Sequence, residues 1–189
     1  MAPLPVPRTL VFDGTGLELV LRTGPGEIAL YLPERYVVLS QVRASSGVRY
    51  EEEGILLWMK GDEAMLEVDG VRYADCRRHP LREPWVDAAR RGVNFRAVGN
   101  EPGWHLEIRA GRELSMITDY GQRRVEAPLP EKVTSGQPRS YHAITDVHDL
   151  RVEIENLPCL DSMSGEHFGA SVTVHLDGKR YHGCGRVLY

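Results

Sequence analysis

The chain has 189 residues, 42% of them hydrophobic and 26% charged, so it can bury a core and is neither a disordered tail nor a fibrous repeat. No run approaches the ~18 apolar residues of a membrane span, and the opening MAPLPVPR lacks the charged-then-apolar layout of a secretion signal. With 23 Lys plus Arg against 27 Asp plus Glu, the net charge of -4 gives no global grip on nucleic acid, and no such partner is expected.

From Leu10 to about Cys76 the chain runs in short alternating segments: LELVLR, EIALYL, ERYVVLSQV, GILLWM and AMLEV. Period-two patterning of this kind predicts half-buried strands. The intervening DGTG, TGPG, KGD and DG stretches supply residues that tolerate tight turns, so the first part reads as an antiparallel meander. RRHPLREPW, from Arg77 to Trp85, interrupts the alternation with two prolines, and VDAARRG after it predicts one short helix before Gly92. Beyond Val93 the alternation resumes in FRAV, WHLEIR, ELSMIT, SYHAIT, LRVEI, SVTVHL and KRYHGC. The expected organisation is all-β: a first antiparallel domain over residues 1–80, a linker with a short helix over 81–93, and a second antiparallel domain over 94–189. Each is of a size to close as a barrel or sandwich. The charges divide as -3 before and -1 after Trp85, so the first domain is the more acidic.

The most informative segment is SSGVRYEEEGILLWMKGDEAMLEVDGVRYADC. If the strand from Val48 pairs with the strand from Ile55, the turn at Glu52 to Gly54 closes one end, and the loops bearing Ser46 and Lys60 meet at the other. Taken singly, Ser46 is an ordinary turn serine and Lys60 an ordinary solvated hairpin lysine. Tyr50 is expected to prop the loop or pack below it, Trp58 to lie in the core, and Glu51, Glu52 and Glu53 to form a solvated acidic tip.

The SGxxY pattern at Ser46, Gly47 and Tyr50, the Trp two positions before Lys60-Gly61, and the Ala-containing strand ending in Cys76 resemble the MliC/PliC inhibitors of c-type lysozyme, over roughly Thr9 to Cys76. The resemblance implies an eight-stranded antiparallel barrel with no catalytic role, cofactor or metal. It also implies that the Ser46, Gly47, Tyr50, Lys60 and Gly61 loops enter the cleft of a c-type lysozyme, the expected protein partner. The chemistry is apt: a retaining glycosidase cleft presents two carboxyl groups about 5 Å apart, which a hydroxyl donor and an ammonium satisfy. The chain departs from the family at one point. Relatives have a cysteine near the first strand that pairs with the one at the domain's end, and Phe12 stands where that thiol is expected, leaving Cys76 either a free buried thiol or a link between chains.

In the second domain, NEPGW at Asn100 to Trp104, DYG at Asp119 to Gly121 and the stretch from Cys159 to Gly185 are similar to an uncharacterised family of bacterial envelope proteins and lipoproteins. Cys159 and Cys184 lie 25 positions apart and are expected to be bridged, a closure that stabilises by roughly 3 kcal/mol in the chain-entropy model. His167, His175 and His182 lack zinc-ligand spacing. SMSG lacks the surroundings of a serine nucleophile. Trp104 is expected in the core behind a Pro-Gly turn. The whole reads as a non-enzymatic inhibitor of c-type lysozyme in the periplasm or outer membrane of a Gram-negative bacterium, with an export signal or lipid anchor outside this sequence. The rival reading is an envelope binding module for a small ligand or glycan, which a ligand-sized pocket in the second domain distinguishes.

Overall fold

A computed structural model describes residues 6–129 and 138–189. Most of the opening MAPLPVPR, and with it the reading of its leader character, lies outside the described residues. The chain divides into two compact units, Met1–Asp87 and Ala88–Tyr189.

In the first unit eight strands follow one another as the alternation predicts: β1 (Thr9–Gly14), β2 (Leu17–Gly24), β3 (Glu27–Tyr31), β4 (Tyr36–Val42), β5 (Val48–Glu52), β6 (Ile55–Lys60), β7 (Glu63–Val68) and β8 (Val71–Arg78). Each pairs antiparallel with the next, and β8 returns to β1, so the sheet closes into a barrel with no free edge. Inward-facing Phe12, Leu19, Leu21, Ile28, Leu30, Leu39, Leu57 and Leu66 fill it. Tyr73 and Cys76 on β8 both serve this core, although an odd separation puts residues on opposite faces of a regular strand. A bulge resolves the conflict. Ala64 pairs with Cys76 and Leu66 with Tyr73, so Met65 alone stands across from Ala74 and Asp75, and Asp75 takes the left-handed conformation, φ 58°.

Cys76 is free and wholly buried, which gives it no surface for a link between chains. Burial, reinforced by the Asp75 carboxylate, pushes its thiol pKa up, away from the reactive thiolate. The residue that faces it is Gly14 rather than Phe12, which is itself core. A Cβ on Gly14 would lie 2.6 Å from the Cys76 sulfur and 3.5 Å from its Cβ. The latter distance is within the range that disulfides span. Gly14→Cys is therefore expected to form a bridge with Cys76 and to raise stability by about 2–4 kcal/mol under oxidising conditions. Loss of the free thiol together with a higher urea midpoint checks this, and a midpoint unchanged by oxidation contradicts it.

The helix α1 (Glu83–Arg90) begins three residues earlier than VDAARRG predicts, because Pro84 suits a first helical turn, and it stops before Gly92, φ 83°. Its opening turns are held to the first barrel by ion pairs of Arg78 with Glu83, 2.7 Å, and Arg22 with Asp87, 3.3 Å, and by Thr9 Oγ1 donating to Asp87.

The second unit contains β9 (Phe95–Asn100), β10 (Gly103–Arg109), β11 (Glu113–Thr118), β12 (Arg123–Pro128), β13 (Arg139–Ile144), β14 (Asp149–Glu155), the short pair β15 (Cys159–Leu160) and β16 (His167–Phe168), β17 (Ala170–Leu176) and β18 (Lys179–Val187). Eight of them form an antiparallel sheet in the order β12-β11-β10-β9-β18-β17-β14-β13, curled around a single core into a nearly closed barrel. Asp177, in the β17–β18 turn, accepts hydrogen bonds from Arg123 at the start of β12, from the His148 ring and from the Asp149 backbone N–H, tying the start of β12 to the β13–β14 turn. The Cys159–Cys184 disulfide is formed, with Cα atoms 5.5 Å apart, and pins the β15–β16 hairpin to the outer face of β18.

Trp104 packs inside this barrel, against Tyr181 and over two glycines. On the outer face, Glu107 receives two hydrogen bonds from Arg91 at 2.8 and 2.9 Å and another from Arg96. Burial pushes the Glu107 carboxyl up, but the Arg91 hydrogen bonds and the Arg96 charge outweigh it and hold the group below the usual carboxylate range. Beside it, burial and then the Arg96 guanidinium hold the His105 imidazole down at a pKa of about 4. The unfolded chain takes up that proton near pH 6.5, so the stability gained by keeping His105 neutral is complete above 6.5 and is lost as pH falls toward 4. Urea midpoints at pH 5 and pH 7.5 are expected to differ in the wild type and to differ less in His105→Asn; equal pH dependence in both contradicts the assignment.

Candidate functional site

Two loops of the first barrel come together as the pairing argument requires. Val48 stands opposite Met59 in the β5–β6 ladder, so the next step along it places Gly47 beside Lys60. Gly47 has φ 68°, and a Cβ there would lie 2.4 Å from the Met59 carbonyl oxygen and 3.2 Å from Lys60 Cβ. Only glycine allows both the left-handed turn and this close approach. The β6–β7 hairpin turns at Gly61, φ 59°, a glycine-first pattern that suits a tight two-residue turn. Tyr50 points inward below the tip, into the barrel core, and is 8% exposed; burial raises its phenol pKa.

Trp58 corrects the expectation that it lies in the core. Strand alternation puts Ile55 and Leu57 inside and turns Trp58 to the outer face, where it is half-buried. Its indole N–H donates to the Ser46 carbonyl oxygen at 2.9 Å, tying the serine loop to β6. Sequence pattern alone could have shown this, since an odd offset from the buried Ile55 and Leu57 places Trp58 outside.

The electrostatics of the tip follow from which carboxylates are already engaged. Glu63, across from Lys60 in the ladder, pairs with Arg77 at 2.9 Å, and Asp62 lies 3.8 Å from Arg78. Among the described residues Lys60 therefore has no anion of its own, and it is exposed. Arg43, in the serine loop, is also exposed and without an ion-pair partner among them, a cation the sequence reading passed over. The tip thus presents two free cations and the hydroxyls of Ser45 and Ser46, although its unit is net acidic. The opposite end of the barrel carries an acidic cluster: Glu52 and Glu53 are exposed at the β5–β6 turn, while Glu51 and Asp69 pair with Arg49 and Arg35. A protruding donor-and-cation tip backed by a closed barrel can fill a cleft that offers carboxyl groups.

Residues 13–75 match the family described as membrane-bound lysozyme-inhibitor of c-type lysozyme, MliC. The first barrel is MliC-like. A relative of that description from Yersinia enterocolitica is 35% identical over 65 residues, which cover 34% of this chain and 56% of the relative, so the chain spans little more than half of that protein's length. No solved structure matches the chain. The MliC-matching segment contains Ser46, Gly47, Tyr50, Lys60 and Gly61 and ends before the second unit.

In the second unit, Ser164 is committed to Asp161, whose carboxylate accepts its hydroxyl and backbone N–H; burial raises the Asp161 pKa, but these bonds and one from Asn100 hold it low. This is a capped turn. A depression of about 510 Å³ at one end of the second barrel is lined by Phe95, Ile108, Leu129, Tyr141 and Tyr189. Its polar groups are Asn94, which already accepts the Ala110 N–H, the exposed Arg139, and the hydroxyls of Tyr141 and Tyr189. Among the described residues no group of three His, Cys, Asp or Glu side chains is placed to hold a metal, and no helix is long and apolar enough to cross a membrane.

Proposed function

We propose that this protein inhibits a c-type lysozyme at the bacterial cell envelope by inserting the Ser46 and Lys60 loops into the enzyme's active-site cleft. The observation that carries the reading is the cation at the tip: Lys60 is exposed and in no ion pair among the described residues, while its ladder partner Glu63 pairs with Arg77. Lys60 supplies the charge, Ser46 the hydrogen bond, and Gly47 and Gly61 the tight turns that let both protrude. Trp58 and Tyr50 hold the serine loop from outside and beneath. The match of residues 13–75 to the MliC family supports the choice of partner. No part of this role calls for catalysis by the chain itself.

Competition tests the placement. An oligomer of N-acetylglucosamine that fills the lysozyme cleft is expected to displace this protein from the enzyme, with the apparent affinity falling in proportion to oligomer occupancy. Simultaneous binding of both overturns the cleft reading.

A further inference from the structure

We infer that the partner's contact extends from the tip into a groove on the outer face of β6, β7 and β8, and that this groove receives an apolar side chain from the surface beside the lysozyme cleft. The inference rests on the cleft-plug reading above and adds to it a second, specificity-determining contact.

Size is the first argument. A specific interface buries about 800 Å² on each partner, some 20–30 residues a side, far more than two loop tips supply. The contact must therefore spread onto surface continuous with the tip. The groove meets that condition. It has a volume of about 370 Å³, room for one or two side chains, and Trp58 and Glu63 both line it. Trp58 binds the Ser46 carbonyl, and Glu63 is the ladder partner of Lys60, so the groove begins within one residue of each plug loop.

Chemistry is the second argument. Its apolar lining comes from Trp58, Met65 and the two alanines Ala64 and Ala74, and its charged lining from Arg72, Arg77, Glu63 and Asp75. Trp58 already spends its only polar group on Ser46, so its ring offers contact area alone. Methionine adapts to the shape that enters. An apolar patch bordered by charged groups is the kind of surface on which a single inserted side chain contributes most to binding.

The fold creates the space. The bulge sets Ala74 and the left-handed Asp75 against Met65 alone, and the small alanine side chain leaves the groove open beside Met65. The same bulge lets both Tyr73 and Cys76 face the core, so one extra residue serves the interior and opens the groove outside.

The test fills the groove without touching the plug loops. Ala74 is exposed, so Ala74→Arg is expected to fold as the wild type does and to raise the inhibition constant against a c-type lysozyme at least about tenfold. Met65→Ala, which removes apolar lining and adds no bulk, is expected to raise it severalfold. Wild-type inhibition by both variants, with Lys60→Ala still defective, overturns the groove and leaves the plug intact. Absence of inhibition by the wild-type chain overturns the plug and the groove with it.

Discussion

Lys60→Ala is expected to weaken inhibition of a c-type lysozyme about thirtyfold or more while leaving the melting temperature unchanged. The size follows from what the partner loses. A desolvated charge pair that loses one member costs about 2–5 kcal/mol, mostly because the remaining charge stays buried and unpaired, and ~2 kcal/mol is already about thirtyfold. The unchanged stability follows from the free protein: Lys60 is exposed and in no ion pair among the described residues, with Glu63 beside it paired to Arg77, so its removal breaks none of them. Ser46→Ala is expected to have a smaller effect of the same kind, since the indole bond runs to the Ser46 carbonyl and survives the change. Inhibition titrations and thermal melts of the three proteins check this. Inhibition by Lys60→Ala equal to wild type contradicts the assignment of the charge.

The largest expected stability effect lies in the second unit. Trp104 is 5% exposed and rests on two backbones: a Cβ on Gly99 would meet the indole Nε1 at 2.1 Å, and a Cβ on Gly183 would meet its Cζ2 at 2.8 Å and the Val98 carbonyl oxygen at 2.0 Å. Trp104→Ala empties that space and is expected to cost about 3–5 kcal/mol. In a unit of this size that lowers its unfolding temperature by more than about 10 °C. Gly183→Ala adds one methyl where none fits and is expected to cost about 1–3 kcal/mol by forcing β9 and β18 apart. Calorimetry of the full chain checks both, and a neutral Gly183→Ala shows that the indole does not lie across that glycine.

The strands that the sequence reveals are those whose inward positions are large and apolar at period two, as in LELVLR on β2 and SVTVHL on β17. β12 escapes the same reading because its inward pair is only Val125 and Ala127, set among Arg123, Arg124 and Glu126 and ended by Pro128. An edge strand with one neighbour needs no stronger pattern. β15 and β16 are two residues each and owe their pairing to the disulfide and the Asp161 turn rather than to alternation. The meeting of the Ser46 and Lys60 loops is legible because a ladder register fixes it. The groove beside them is not, because it depends on a bulge on β8 that shifts one strand by a residue, and the sequence shows that shift only as the odd spacing of Tyr73 and Cys76. The position opposite Cys76 is Gly14 rather than Phe12 for a related reason: pairing of Phe12 with Arg78 and Asp13 with Arg77 is a long-range register that local pattern does not carry.

The most direct test of the account is the rate of cell-wall lysis by a c-type lysozyme at rising concentrations of the full chain, with a g-type lysozyme as control. The account predicts saturable inhibition of the c-type enzyme and none of the g-type enzyme. Undiminished c-type lysis at ~10 μM, a concentration at which a specific interface is already occupied, contradicts it.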